Sequence, residues 1–159
     1  MRGFTLIEIL IVIGMIAILS SIVIVAINPL RQFAQARETQ RTENVHEILN
    51  AIGERIADNR GVFQDKDGIC SAVLPTTATN MQKSGGYDIR PCLVPLYISD
   101  LPYDPSTGSN TCIDTDCAEA SYDTGYTIQQ DTATLRITVC APAGAEPAIK
   151  GSAPICLTR

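Results

Sequence analysis

Residues 4–27, FTLIEILIVIGMIAILSSIVIVAI, form an apolar run in which Glu8 is the one charged side chain. As a helix, its 24 residues extend about 36 Å, enough to cross a hydrocarbon core about 30 Å thick. A rod that is apolar all round needs lipid or other helices to cover it. A cleaved secretory signal would have a shorter apolar core, no acid inside it and a small-residue cleavage site beyond it. The end of the run, IVIVAINP, has no clear A-x-A pattern. A retained membrane helix is therefore expected.

Asn28-Pro29 is expected to kink or interrupt this helix, because Pro29 lacks a backbone donor and crowds the preceding turn. The helical pattern then resumes. Leu30, Phe33 and Ala34 are followed by Val45, Ile48, Leu49, Ile52 and Ile56, one apolar stripe with Arg and Glu on the other faces. Asn59 to Gly61 closes it. The two segments together predict a rod of about 55 residues, on the order of 80 Å long.

Beyond Gly61 the texture changes to Pro, Gly, Ser and Thr with short β-type runs at 92–98, 125–130 and 133–141. In the last, Leu135, Ile137 and Val139 alternate with Arg136, Thr138 and Cys140, as a half-buried strand requires. Thr124-Gly125 and Gln130-Asp131 fall where turns are needed. The fold class expected is α+β: a long N-terminal α-helix, half membrane and half amphipathic, packed on a small antiparallel β-sheet head.

The head is also where the net charge of −5 resides: between Asn28 and Arg60 five arginines balance five acids, whereas from Gly61 onward six basic residues face eleven acidic ones. Such a surface repels phosphate backbones, so nucleic acid is not an expected partner. Six cysteines, Cys70, Cys92, Cys112, Cys117, Cys140 and Cys156, all lie in this region. An even count confined to one region points to disulfides and an oxidising compartment. Zinc is the rival reading. The Cys112/Cys117 spacing would suit it, but no second close pair exists and the single histidine, His46, is distant and expected on the surface.

Residues 2–9, R-G-F-T-L-I-E-I, closely resemble the N-terminal motif of type IV pilins and pseudopilins: a basic leader ending in Gly, an aromatic, Thr-Leu-Ile-Glu, and a long apolar helix. The resemblance implies that a membrane prepilin peptidase cuts between Gly3 and Phe4 and that the new amine at Phe4 is N-methylated. Glu8 then becomes the fifth residue of the mature chain. A carboxylate in hydrocarbon costs about 3 kcal/mol at a helix centre and less near an interface. A neighbouring subunit's amine at Phe4 would offset that cost when chains stack in register. The implied division is a leader at 1–3, a transmembrane and filament-core helix at 4–28, its amphipathic continuation at 29–60, and a disulfide-containing β head at 61–159. The Met1-Arg2-Gly3 leader is shorter and less basic than the family's usual one, and no Pro precedes Pro29.

Within the head, LYISDLPYDPSTG at 96–108 resembles a segment of pilin-like and pseudopilin heads in which D-L-P-x-D-P leads into the final β-region. The next loop carries Asp114, Asp116, Glu119 and Asp123. Alternating oxygen donors there are candidate calcium ligands at about 2.3–2.6 Å, and the resemblance includes heads that bind calcium nearby. A plain solvated acidic loop is the simpler expectation, and no other cofactor is implied. Six cysteines permit 15 pairings. Locality favours Cys112 with Cys117, Cys140 with Cys156 and Cys70 with Cys92, against alternatives such as 70–156 or 92–140.

Catalytic signals are weak: one His, no Gly-x-Ser-x-Gly elbow and no phosphate loop. The function expected is a structural subunit of a type IV pilus-like filament, with its head outside the cytoplasmic membrane before assembly and at the cell surface afterwards. Its partners would be copies of itself, the prepilin peptidase, the pilus assembly machinery and the membrane. A pseudopilin of a type II secretion or DNA-uptake machine, forming a periplasmic fibre, is the alternative within the family. A membrane-anchored extracytoplasmic enzyme or binding domain is the alternative from another class.

Overall fold

Helix α1 spans Leu6–Ala26 and α2 spans Pro29–Asp58. The break between them follows from Asn28 and Pro29. Asn28 is extended at its N-cap position and its side chain accepts from the Arg31 N–H (3.4 Å), while Pro29 occupies the first turn, where a missing donor costs nothing. The computed structural model describes residues 3–26, 28–64, 70, 73–111 and 121–159.

The head packs against one face of α2. Val45, Ile48, Leu49 and Ile52 are buried and Ile56 half-covered, as the 3.6-residue period requires. The covered face begins only at Ala34, and Leu30 and Phe33 stand 71% and 64% exposed. The stripe therefore starts one turn later than the sequence suggests. The helix ends where expected: Asn59 N–H bonds to Arg55 C=O and Gly61 N–H to Ile56 C=O, with Arg60 and Gly61 at positive φ.

Five antiparallel strands form one sheet: β1 (Thr79–Gln82), β2 (Ser109–Thr111), β3 (Ser121–Gln130), β4 (Ile137–Ala141) and β5 (Ile155–Thr158). The main order is β1-β3-β4-β5, with β2 paired to the first residues of β3. Tyr122, Tyr126 and Ile128 of β3 and Ile137, Val139 and Ala141 of β4 point into the core. This is the alternation of a sheet covered on one face.

Three sequence expectations need correcting. The run at 92–98 is not a strand: it begins in the second half of a single helical turn, α3 (Arg90–Leu93), and continues as irregular chain with a cis Val94-Pro95 peptide. Pro91 and Pro95 cannot donate to a ladder, and a short apolar run does not distinguish strand from helix by itself. Thr124-Gly125 is not a turn but lies inside β3. There Gly125 has φ +75° opposite a register shift in β1, the other use of an isolated glycine in a strand. Leu135 does not open β4. It sits in the β3–β4 turn at φ +57° and is 68% exposed.

The Cys70–Cys92 and Cys140–Cys156 disulfides are present, closing separations of 22 and 16 residues. The first joins α3 to the loop after α2. The second cross-links β4 to β5 at a directly paired position. Cys112 and Cys117 lie outside the described residues.

Candidate functional site

The N-terminal end is built by local rules. Thr5 precedes the first helical residue, and its Oγ1 accepts from the Glu8 N–H (3.3 Å), which also bonds to Thr5 C=O (3.1 Å). Thr-x-x-Glu is the sequence pattern of a capping box. A carboxylate in the first turn also favours the partial positive charge at a helix N-terminus by about 0.3–1 kcal/mol. Glu8 therefore has a local reason for its position, which the sequence reading missed although T-L-I-E displays it. Gly3 and Phe4 precede the helix. Phe4 is 79% exposed, and a side chain at Gly3 would meet nothing within 4 Å. Gly3, Phe4 and Glu8 thus share one accessible helix start.

The remainder of α1 is uncovered. Fourteen large apolar side chains from Leu6 to Ile24 are 48–83% exposed. At about 1.5–3 kcal/mol per fully buried aliphatic side chain, removing this surface from water is worth on the order of 20 kcal/mol. The segment Leu6–Ile24 is long and apolar enough to cross a membrane, and none of the described head residues covers it. What this arrangement can do physically is insert into lipid or pack among other helices.

The head supplies a second cluster, which sequence reading did not find. Arg41, expected on an exposed face of α2, is fully buried. Its Nε donates to Asp104 Oδ2 (2.7 Å), its Nη2 to Ser106 Oγ (2.7 Å) and its Nη1 to Glu146 Oε1. Arg37, one turn earlier, donates from Nε and Nη2 to the two oxygens of Glu146, both at 2.7 Å. Asp104 belongs to the D-L-P-Y-D-P segment and also accepts from the Ser106 and Thr107 N–H groups (2.8 and 3.0 Å). A side chain at Gly108 would fall 2.7 Å from the Asp104 nitrogen, and one at Gly125 would strike Thr107 and Asp104. Both glycines let the chain close around this carboxylate. The signal available in sequence was Arg37 and Arg41 at i, i+4, a pair that repels unless acids are delivered to it.

Arg55 works similarly at the far end of α2. It is buried, donates to the carbonyls of Phe63 (2.7 Å) and Cys92 (2.6 Å), and lies over the Phe63 and Tyr97 rings. Together the two arginines fasten both ends of the buried helix face to the loops around the sheet.

These contacts set an acid limit. Hydrogen bonds from Arg37 and then Arg41 hold Glu146 down to about 2. Burial alone would raise the Asp104 pKa, but the donors on Arg41, Ser106 and Thr107 outweigh it and hold it well below the usual carboxylate range. The unfolded chain takes up protons on these groups near pH 4 while the folded head does not. Their stabilisation is therefore complete above about pH 5 and is lost as pH falls from about 4 towards 2. Melting temperatures of the full chain in detergent should decline steeply across that window. A flat profile down to about pH 2.5 would contradict the linkage.

Of the candidate calcium ligands, Asp114, Asp116 and Glu119 lie outside the described residues. Asp123 is in β3, and its carboxylate accepts from the Gly125 N–H (2.9 Å). Among the described residues no group of three or more His, Cys, Asp or Glu side chains is arranged to hold a metal. His46 is on the exposed face of α2, as expected. No protein-family model matches the chain, and neither a curated protein nor a solved structure matches it.

Proposed function

We propose that this chain is the structural subunit of a type IV pilus-like filament, stored in the cytoplasmic membrane through α1 with its head outside. A prepilin peptidase cleaves it between Gly3 and Phe4. The assembly machinery then extracts it, and copies polymerise through α1. The observation that carries this reading is the contrast between the two parts of the molecule. The head buries its own apolar face on α2 and is cross-linked by disulfides, so it needs nothing from α1. Helix α1 exposes its large apolar side chains from Leu6 to Ile24 and has a single carboxylate, at its first turn. A helix of this kind suits two environments in succession, lipid and a bundle of its own copies. The N-terminal motif supplies the processing step, and the disulfides fit a head on the oxidising side of the membrane.

Electron microscopy of cells that make the chain tests the reading. Surface filaments should be present, disappear on deletion of the gene, and contain this chain when sheared off. Cells that hold the chain in their membranes and have no filaments would refute it. Catalytic activity of residues 30–159 would favour the membrane-anchored enzyme instead.

A further inference from the structure

The two flanks of α2 are unlike each other. On one, Glu43, Glu47 and Glu54 line a groove with Tyr97, and the next residue back along the chain, Leu96, is 82% exposed. On the other, Leu49, Ile52 and Ile56 join Leu135, Ile137 and Arg159 around an apolar groove of about 230 Å³. At 100° per residue these two sets of α2 positions lie about 165° apart around the helix. A groove of this size is smaller than those that enclose drug-sized ligands, and it suits one branched aliphatic side chain.

Leu135 indicates that the apolar groove is a contact surface. It occupies the left-handed region at φ +57°, which a bulky residue disfavours. The turn fixes it there: Asp131 accepts from the Ala133 and Thr134 N–H groups, and Leu135 N–H donates to Asp131 C=O (2.9 Å). Glycine would fit that backbone without strain. Burial within the subunit does not compensate, because the side chain is 68% exposed. An exposed leucine held in a strained turn beside an apolar groove is a feature to be explained by what binds there.

Charge identifies the occupant. The Leu135 groove carries Arg159 at its edge, whose Nη1 donates to Asn50 Oδ1 (2.8 Å), and exposed Arg136 next in the chain. The groove lined by Tyr97, the residue after Leu96, is acidic through Glu43, Glu47 and Glu54. The geometry points to a head-to-head contact between copies of this chain, in which Leu96 of one copy enters the Leu135 groove of the next. The contact rests on the filament reading and adds to it an interface outside α1. Knob and groove lie at different places on the molecule, so the contact is heterologous and does not close on itself. It extends a row of subunits rather than forming a dimer.

A photo-crosslinking amino acid in place of Leu96, in the full chain in cells, tests this. Adducts between two copies should map to residues 133–137 or 49–56 of the second. Leu135→Gly provides the second arm: it relaxes the turn, so the head should melt no lower than wild type, while filament yield falls about tenfold, as for loss of a central apolar anchor. Filaments whose Leu96 adducts map elsewhere or are missing, or undiminished filaments from Leu135→Gly, would overturn the contact and leave assembly through α1 standing. Absence of filaments from wild-type cells would overturn both.

Discussion

Arg41→Ala is expected to destabilise the head by about 3–5 kcal/mol, the cost of leaving buried carboxylates without their cation. The substitution does more than open a cavity. Asp104 is buried and would keep only its Ser106 and Thr107 donors, while Glu146 would keep only Arg37. In full-length protein in detergent this should appear as a fall in melting temperature of about 10 °C or more. Arg41→Lys should recover only part of the loss, because a single ammonium cannot reproduce the fork that reaches Asp104, Ser106 and Glu146 together. An Arg41→Met, Asp104→Asn, Glu146→Gln triple variant should be less destabilised than Arg41→Ala, since it removes the uncompensated charges. If the single and triple variants melted together, charge would not be the cause.

Glu8→Ala is the second large effect expected, and it acts on assembly rather than on the head. The side chain lies at the start of an exposed helix with no contact to the core, so membrane insertion and the melting of the head should be unchanged. Filament yield should fall at least about tenfold, corresponding to 1.4 kcal/mol or more lost per added subunit when a neighbour's N-terminal amine has no carboxylate to meet. Glu8 also acts locally at the helix start, where losing a first-turn charge costs about 0.3–1 kcal/mol by itself. Glu8→Gln and Thr5→Ala separate the contributions. Thr5→Ala removes the cap and keeps the charge, so it should assemble. Glu8→Gln keeps the shape and loses the charge, so it should not. Wild-type yields from both Glu8 variants would remove the proposed pairing.

Much of this architecture was legible because it rests on periodicity and local chain chemistry. The spacing of Val45, Ile48, Leu49 and Ile52 identified the buried face of α2, and the alternation of Ile137 and Val139 with Thr138 identified β4. Proximity in sequence was enough to pair Cys70 with Cys92 and Cys140 with Cys156. The apolar run specified α1, and Asn28-Pro29 its end. What escaped depends on tertiary context. Arg41 and Arg55 read as surface residues, and only the positions of Asp104, Glu146 and the Phe63 and Cys92 carbonyls in the fold make their burial tolerable. Leu135 read as a strand residue because Gln130-Asp131 signals a turn without showing its length, and the bonds to Asp131 carry that turn through Leu135. The 92–98 run was misread because Pro95 within it and Pro91 just before it were weighed less than its apolar content.

The central claim is that the chain leaves the membrane as a polymer of its cleaved form. Intact-mass analysis of protein sheared from the cell surface tests it most directly. The mass should correspond to residues 4–159 with an N-methyl group on Phe4 and paired cysteines. Recovery of the chain only from membranes with Met1 retained, or cleaved after the apolar run, would contradict it.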